Sequence, residues 1–253
     1  MTTPAYQRLA DALRTAILNG TYQPGDTLPK LTDLMAQHGV SKTTASEAFR
    51  TLEREGLVEV VRRRGTVVLD PAVPRPLLRT REVLRDEIGY YFDPQAQPWR
   101  ALQPPTRAWA VPPRDIAVLL GVPAGEEVLW RDRVMGDPDT GTAMQLATSF
   151  LPAAVARSTV LEEADTGPGG IYDRLEEMGH GPLEWSETIT ARMPTPGEAE
   201  VLGVPRGIPL LRVLRTAVSP AGLVVEINDT RMSAARFAIG YPLTRHESAR
   251  SRQ

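Results

Sequence analysis

Three consecutive arginines, Arg62, Arg63 and Arg64, stand immediately before Gly65 in the segment VVRRRGTVV. Guanidinium groups at this spacing can neutralise phosphates or enter a minor groove, and the glycine allows close approach of the backbone. The flanking segments LVEVV and TVVLD predict two short strands, so the arginines are expected in the turn of a hairpin. Arginines kept on an exposed turn for solubility are the alternative interpretation.

A second polar group precedes this hairpin, in the segment SKTTASEAFRTLEREG. Ser41 is predicted to cap a helix that Gly56 ends. The apolar residues recur at i, i+3, i+4 and i+7, which predicts a buried face of Ala45, Ala48, Phe49 and Leu52. The opposite face of the helix would carry Lys42, Thr43, Ser46, Glu47 and Arg50. Short polar and basic side chains of this kind suit a helix entering a major groove, and an ordinary solvated face is the alternative.

Two further helices are predicted upstream of this pair. The first starts at Thr3 as cap and Pro4, repeats Leu9, Leu13 and Ile17 at helical spacing, and stops at Asn19–Gly20. The second runs from Lys30 to His38 and ends at Gly39. Three helices followed by a two-stranded ribbon are the pattern of a winged helix-turn-helix.

The overall composition neither supports nor opposes nucleic-acid binding. The 253 residues carry a net charge of −2, and residues 1–70 hold nine Lys and Arg against eight Asp and Glu. The location of the charges must therefore decide. The absence of cysteine excludes disulfides and thiolate chemistry, and together with the lack of a long apolar run or signal peptide it predicts a cytoplasmic protein without a membrane segment.

Enzyme motifs are absent from the sequence. The three histidines, His38, His180 and His246, stand in unrelated contexts without metal-ligand spacing or triad logic. No Walker loop or GxGxxG segment occurs. We therefore expect no catalytic residues, no metal and no cofactor.

The rest of the chain predicts a second, α+β domain. A proline-punctuated linker is expected at 71–80, and a proline-rich arm or loop at 81–115. Strands are then predicted at 127–135, 142–150, 183–192, 209–218 and 223–232, with a helix near 171–178. Hairpin-like connections such as GDPDTG and SPAG favour an antiparallel sheet with flanking helices.

Several side chains of this second domain could bind a ligand. Strand alternation places Arg131 and Arg133 on one face, where they would repel each other unless an anion or an acidic side chain lies between them. In the following strand Gln145, Ala147 and Ser149 share a face. Glu226 could meet a ligand hydroxyl or amine, or be an ordinary surface acid of a strand.

Over residues 5–68 the chain resembles the DNA-binding domain of the GntR family of bacterial transcription regulators. The residues that carry the resemblance are I..G.Y.PGD.LP, GVSK.T, L..EGL and the basic wing with its glycine. The resemblance implies double-stranded DNA as partner and a homodimer on an approximately palindromic operator. The residues then expected to contact DNA are Lys30, Thr32, Ser41, Lys42, Thr43, Thr44, Ser46, Arg50, Arg62, Arg63, Arg64 and Gly65.

The C-terminal half resembles the effector-binding UTRA domain of the HutC branch of that family, a chorismate-lyase-like fold. The matching segments are R.R, SFLP, GIY, LGVP.G.PLL and VVEIND. The resemblance implies a small, possibly anionic effector, and the expected contact residues are Arg131, Arg133, Gln145, Gly170, Tyr172, Glu226 and Phe237.

The sequence departs from the family at informative positions. Thr32 and Ser46 stand where arginines commonly contact bases, whereas Lys42 keeps a positive charge. Bidentate reading of guanine by arginine contributes roughly 1–3 kcal/mol per base, so we expect an operator that depends less on guanine and more on the wing. In the second domain Ala147, Gly170 and Phe237 replace residues that commonly contact the effector, which argues against the amino-sugar phosphates often linked to this branch.

The sequence therefore predicts a winged helix-turn-helix at 1–70, a linker at 71–80, and an effector-binding and dimerisation domain at 81–253 that ends in a frayed tail at 244–253. The expected function is a DNA-binding repressor released by a small-molecule effector. The alternatives are an effector-independent dimeric repressor and a lyase-like enzyme carrying a DNA-tethering domain.

Overall fold

The computed structural model describes residues 3–61, 63–69, 75–78, 82–85, 89–91, 99–139, 141–205, 207–243 and 245. Contacts divide the chain into two compact units. The first contains Met1–Pro74, Met193–Leu210 and Ala234–Arg236, and the second contains Arg75–Arg192, Leu211–Ser233 and Phe237–Gln253. The sequence had predicted no return of the chain to the first unit. Within that unit Gly207 lies so close to Arg54 that an added Cβ would be 2.4 Å from the Arg54 carbonyl oxygen.

The first unit contains the predicted three helices and ribbon. Its elements are α1 (Ala5–Leu18), α2 (Leu31–His38), α3 (Lys42–Arg54), β1 (Val58–Val61) and β2 (Gly65–Val68). The predicted cap of α1 at Thr3 is wrong by one residue: the extended residue Pro4 is the N-cap and contributes no side-chain hydrogen bond. Gly39 ends α2 in the left-handed region at φ +60°, and α3 begins three residues later at Lys42.

The core of this unit lies mainly between α1 and α3. The residues buried there from the two helices are Leu9, Ala10, Leu13, Ile17, Ala45, Ala48, Phe49 and Leu52. Fully burying a Leu, Ile or Phe side chain stabilises a fold by about 1.5–3 kcal/mol, so this apolar stripe sets the rotation of α3 about its axis. The predicted buried face of α3 is confirmed, and its polar residues are consequently turned away from the core.

The remaining elements follow in chain order. They are β3 (Arg75–Leu78), β4 (Leu84–Arg85), β5 (Tyr90–Tyr91), β6 (Arg100–Ala101), β7 (Thr106–Ala110), α4 (Arg114–Leu120), β8 (Val128–Gly136), β9 (Ala143–Leu151), α5 (Ala153–Ala156), α6 (Gly170–Leu175), β10 (Glu184–Arg192), α7 (Pro196–Leu202), β11 (Leu210–Val218), β12 (Val224–Ser233) and β13 (Phe237–Gly240).

One seven-stranded sheet forms the centre of the second unit. Its strand order is β10, β11, β12, β9, β8 and β6, and β7 also pairs with β8. The pairs of β9 with β12 and of β8 with β6, β7 and β9 are all antiparallel. The predicted α+β class is confirmed. All described helices are too short or too polar to span a bilayer.

Two segments that were predicted to lack regular structure contain strands. Within the predicted linker, β3 pairs in parallel with β13, and Leu77 is buried there next to Trp99 and Phe237. The predicted proline-rich arm contains β4 to β7. The prolines near β7 lie outside it, so its five residues can pair with β8. Residues 70–74, 79–81, 92–98, 244 and 246–253 lie outside the described residues, including most of the predicted tail.

Candidate DNA-binding surface and effector site

The first turn of α3 presents polar side chains on a well-capped helix. The Ser41 side chain accepts the backbone N–H of Thr44 at 3.2 Å, as the sequence predicted, and the two hydroxyl oxygens are 2.9 Å apart. Both hydroxyls therefore already serve the cap. Lys42 and Thr43 are exposed and follow directly, so they are the side chains of this turn that remain available to a ligand.

Further along α3, Glu47 changes the electrostatics of the predicted DNA-facing side. Its carboxylate lies 2.6 Å from Arg54 and 3.5 Å from Arg50, although the Arg50 side chain is 70% exposed. The i+3 and i+7 spacing of these charges was the available signal, and the sequence interpretation did not use it. Glu47 and any phosphate would therefore compete for Arg50. Ser46 is half-buried on the same helix.

The predicted contacts from α2 lie at its start. Lys30 is the extended N-cap residue, and Lys30 and Thr32 are both exposed. The Thr32 hydroxyl donates to Asp33 at 3.2 Å. Asp33 lies next to Thr32, and no arginine stands at that position. This part of the surface is therefore suited to hydrogen bonding more than to charge neutralisation.

The wing is a tight turn between β1 and β2. Arg63 adopts φ +67°, which is uncommon for a residue with a side chain, and the Arg64 N–H donates to the Val61 carbonyl at 3.1 Å. Gly65 has φ +105° and an added Cβ would lie 3.1 Å from Thr27, so its predicted role as the wing glycine has a steric reason. Arg62 lies outside the described residues.

A loop before α2 supports the wing, and the sequence interpretation missed it. Val68 accepts from the Gly25 N–H, Asp26 accepts from the Val68 N–H, and Leu28 donates to Thr66, all at 2.8 Å. The Arg64 side chain donates to the Gly25 carbonyl at 2.6 Å. One guanidinium of the basic cluster is thus anchored to the protein, while Arg63 and Lys42 have no such partner among the described contacts and remain exposed.

In the second unit, Arg131 does not face solvent. Its side chain is buried, and its Nη atoms donate to the backbone carbonyls of Leu161, Glu163 and Ala164. Burial, reinforced by the charges of Arg133 and Arg107, lowers the pKa of Arg131 to about 10, which still leaves it protonated at neutral pH. Among the described contacts, its Nη atoms bind main-chain carbonyls and not an acidic side chain on a neighbouring strand.

Arg107 extends this arrangement to a fourth carbonyl. It lies opposite Arg131 across β7 and β8 and donates to the carbonyl of Glu162. The Glu162 side chain accepts in turn from the indole N–H of Trp109 at 3.0 Å. We call residues 161–164, which begin in a short 3-10 helix at Val160–Glu162, the clamped loop, because all four of their carbonyls accept from these two arginines.

Next to Arg131, a buried polar row crosses the sheet. Ser149 lies opposite both Arg131 and Asn228, and its hydroxyl oxygen is 2.9 Å from an Nη of Arg133 and 3.1 Å from the Asn228 amide nitrogen. Thr230 donates to the Asn228 side-chain oxygen at 2.8 Å. This row fixes the orientation of Arg133. The Nε atoms of Arg131 and Arg133 are buried and have no hydrogen-bond partner.

Glu226 and Tyr172 form a second polar pair. Glu226 is only 1% exposed, and its Oε2 atom has no hydrogen-bond partner. The pKa of Tyr172 is raised first by burial and then by the charge of Glu226. A hydrogen bond between the two side chains raises it further. The Tyr172 ring packs edge-on against Trp185 and Tyr90, with ring centres 5.5 and 6.2 Å away. Of the two interpretations left open for Glu226, the exposed surface acid is wrong.

The other predicted effector residues are more scattered. Gln145 lies between Met135 and Met232 on the neighbouring strands. Gly170 begins α6 at φ +67° with open space where a Cβ would be. Phe237 packs 5.2 Å from Trp99 in an apolar cluster that does not contain Tyr172. Phe237 is therefore part of the core at β3 and β13.

Taken together, Arg131, Arg133 and Glu226 offer two buried donor atoms and one buried acceptor atom that have no hydrogen-bond partner. Such a set suits a small ligand that carries both an anionic or acceptor group and a donor. Among the described residues, no group of three or more His, Asp or Glu side chains is placed to hold a metal ion.

Comparisons with known proteins match two successive parts of the chain. A family model for bacterial regulatory proteins of the gntR family matches residues 5–68, and a UTRA domain model matches residues 106–238. The uncharacterised helix-turn-helix regulator SCO4628 of Streptomyces coelicolor is 30% identical over 258 residues, covering 97% of this chain and 95% of the relative. The transcriptional repressor NagR of Bacillus subtilis is 26% identical over 230 residues, or 88% of each chain.

The solved structures include a close match in fold. A crystal structure assigned to a GntR-family transcriptional regulator superposes with a TM-score of 0.66 at 30% identity, covering 96% of this chain and 99% of that one. These relatives carry the names of transcription regulators, which favours regulation over the lyase alternative. The chain belongs to the GntR family of bacterial regulatory proteins and combines its helix-turn-helix domain with a UTRA domain, which makes it a DNA-binding transcription regulator.

Proposed function

We propose that the protein is a homodimeric repressor of the HutC branch that binds an approximately palindromic operator and leaves it when a small effector occupies the sheet domain. The observation that carries the proposal is the exposed first turn of α3, whose Lys42 and Thr43 are turned away from a core of apolar residues. A capped helix with this face is suited to the major groove, and a basic wing to the flanking backbone. The relative NagR is named a transcriptional repressor, which supports the direction of control.

In this proposal the wing and α3 divide the work. Lys42 and Thr43 approach base edges, whereas Arg63 neutralises phosphate or enters the minor groove. Thr32 and Ser46 supply hydrogen bonds without charge, and Arg50 is partly neutralised by Glu47 at 3.5 Å. The operator is therefore expected to depend less on guanine than a site read by several arginines, which contribute roughly 1–3 kcal/mol per guanine.

The sheet domain is proposed to sense an anionic effector that also carries a hydroxyl or amine. Support comes from the two unpartnered Nε atoms of Arg131 and Arg133 and from the unpartnered Oε2 of Glu226. An anionic group of the effector would accept from the former, and its hydroxyl or amine would donate to the latter. A coupling of about 1–3 kcal/mol between the two sites would weaken operator binding by roughly 5- to 150-fold.

The proposal is tested by selecting bound fragments from the source genome with the purified protein, with and without a competing polyanion. Recovery of a palindrome beside a promoter is the expected result. Recovery of only sequence-independent fragments whose binding collapses with salt would contradict operator reading.

The effector part has its own test. A panel of phosphorylated and carboxylated metabolites is added to the protein, and the melting temperature and the operator affinity are measured together. At least one compound should raise the melting temperature and lower the operator affinity. If no compound does both, the alternative of an effector-independent dimeric repressor is favoured.

A further inference from the structure

An acidic side chain lies in the middle of the outward side of α3. Thr43, Glu47, Arg50 and Arg54 follow one another at i, i+4, i+7 and i+11, the spacing of a single line along a helix. This line runs opposite the buried apolar stripe of α3, so its members point furthest from the core. A carboxylate at the centre of a surface that faces a polyanion calls for a specific role, because it is repelled by every phosphate.

The two oxygens of the Glu47 carboxylate are held differently. Oε1 accepts a hydrogen bond from Arg54 at 2.6 Å. Oε2 lies 3.5 Å from Arg50, which is longer than an ordinary hydrogen bond of about 2.7–3.2 Å. Arg54 therefore fixes the direction of the carboxylate, while Oε2 keeps the capacity to accept from a ligand. The Glu47 side chain is 35% exposed, so a ligand can reach it.

The neighbouring charges and side chains favour contact between this oxygen and a base. The two arginines of the line outnumber its single acid, so the line as a whole still attracts phosphate. Ser46, which stands where arginines of the family commonly contact bases, is half-buried and carries only a hydroxyl. Its side chain is shorter than that of Glu47 and supplies no cation to Oε2. Contact with bases one turn beyond Thr43 is therefore left to Glu47.

An ionised carboxylate only accepts hydrogen bonds, which limits the bases that it can recognise. In the major groove guanine presents two acceptors, and thymine presents an acceptor and a methyl group. Cytosine and adenine each present an amino donor, but adenine also places its N7 acceptor beside that donor. This N7 atom would repel the carboxylate, whereas cytosine offers its amino group alone. The chemistry of Glu47 consequently favours cytosine and disfavours guanine.

We propose that Glu47 is a specificity-determining residue that accepts, through Oε2, a hydrogen bond from a cytosine amino group in each half of the operator. Arg54 is its positioning residue, because it holds Oε1. The base pair concerned is a C·G pair that the protein recognises from the cytosine and not from the guanine. The proposal rests on the operator binding of the proposed function, and it adds the identity of one base to that operator.

Selection from a random-sequence duplex library with the full-length protein tests the proposal. The unmodified protein should enrich cytosine at one position of each half-site. In Glu47→Gln this preference should fall by about fivefold or more, and adenine should replace cytosine, because an amide bonds to both N6 and N7 of adenine. Glu53→Gln removes the same charge from the same helix away from the outward line, so it should keep the cytosine. Circular dichroism checks that each variant is folded.

The amino group itself is tested with a modified duplex. In the selected sequence, the cytosine is replaced by 2-pyrimidinone, which lacks the amino group. This replacement should weaken binding of the unmodified protein by about fivefold or more beyond its effect on Glu47→Ala. The role of Arg54 is tested by the same preference: Arg54→Ala should lose part of it, and Arg54→Lys should restore it.

The possible failures are distinguishable. An unchanged cytosine preference in Glu47→Gln overturns the proposal and leaves the repressor intact. A gain of affinity for all sequences alike also overturns it, because Glu47 would then only neutralise Arg50 and Arg54. If Glu47→Gln does not fold, equal affinity of the unmodified protein for the cytosine and 2-pyrimidinone duplexes overturns the proposal. If the unmodified protein enriches no palindrome, this proposal and the proposed function fail together.

Discussion

Arginines are used in opposite ways in the two units. In the wing, Arg63 is exposed and has no partner among the described contacts, and the residue next to it, Arg64, is held by a single side-chain bond to Gly25. In the sheet, Arg131 is 3% exposed and donates to three backbone carbonyls. The same side-chain type is therefore left available for binding in one region and holds the fold together in the other.

The difference teaches which changes should affect folding and which should affect binding. An exposed cation contributes little to stability, but it can attract a polyanion in a salt-dependent way. A buried cation that binds carbonyls contributes to stability, because its removal leaves those acceptors unsatisfied. Substitutions of arginines should consequently differ in their effect on the free energy of unfolding, even where both arginines were predicted to belong to a binding site.

The largest loss of stability is expected for Arg131→Leu. It removes three charge-assisted hydrogen bonds of about 1.5–3 kcal/mol each and leaves buried carbonyls behind, so the free energy of unfolding should fall by about 3 kcal/mol or more. Urea denaturation measures this. Arg131→Lys, which keeps the charge and can reach fewer carbonyls, should lose less. A loss below about 1 kcal/mol for Arg131→Leu would mean that the clamped loop does not need its arginine.

A smaller loss is expected for Ser41→Ala, because the Thr44 N–H loses its acceptor at the start of α3. Removing such a cap typically costs about 1 kcal/mol, and Ser41→Gly should cost only a few tenths. Thermal unfolding of the first unit checks the pair. Equal stability of Ser41→Ala and the unmodified protein would show that the cap bond at 3.2 Å contributes nothing.

Arg63→Gly, in contrast, should not lower the free energy of unfolding. Glycine is at ease at the φ of +67° that Arg63 adopts, so stability should stay the same or rise by about 0.5 kcal/mol. DNA affinity should nevertheless fall for all sequences alike, and the slope of log affinity against log salt should drop by about 1. Arg63→Lys keeps the charge and should keep the slope. An unchanged slope in Arg63→Gly would remove the wing from the DNA interface.

A small change in stability is also expected for Glu226→Gln, which keeps the shape of the side chain and can still bond to Tyr172. The free energy of unfolding should move by less than about 1 kcal/mol. Stabilisation by any effector found in the metabolite panel should disappear, because the acceptor pattern for its donor has changed. Asp165→Asn, an exposed acid of the same domain, serves as the control. Retained effector binding in Glu226→Gln would exclude Glu226 from the site.

Local patterns predicted the first unit well, for a physical reason. The buried face of α3 and its Ser41 cap each depend on residues within a few turns of one helix, and the positive φ of Gly65 belongs to the turn of one hairpin. Helical periodicity and turn chemistry operate at that distance. The support of the wing by Gly25 and Arg64 was missed because those residues are 39 positions apart.

In the second unit, the strands were predictable and their partners were not. Alternation placed Arg131 and Arg133 on a common face, and the structure agrees through the partners of Ser149. The carbonyls that bind Arg131 lie about 30 residues further along the chain, in a segment with no pattern of its own. The pairing of β3 with β13 spans an even longer separation, which explains why Arg75–Leu78 was predicted as linker.

The clamped loop has a consequence for how the sequences of related proteins can diverge. Arg131 and Arg107 donate hydrogen bonds to main-chain oxygens, which every amino acid presents in the same way. Glu163 is exposed and Ala164 is partly exposed, so their side chains can be exchanged without loss of these hydrogen bonds. The loop can thus vary in sequence while its backbone keeps its shape. Evolution could retune the chemistry beside the polar row at this position without having to rebuild the fold.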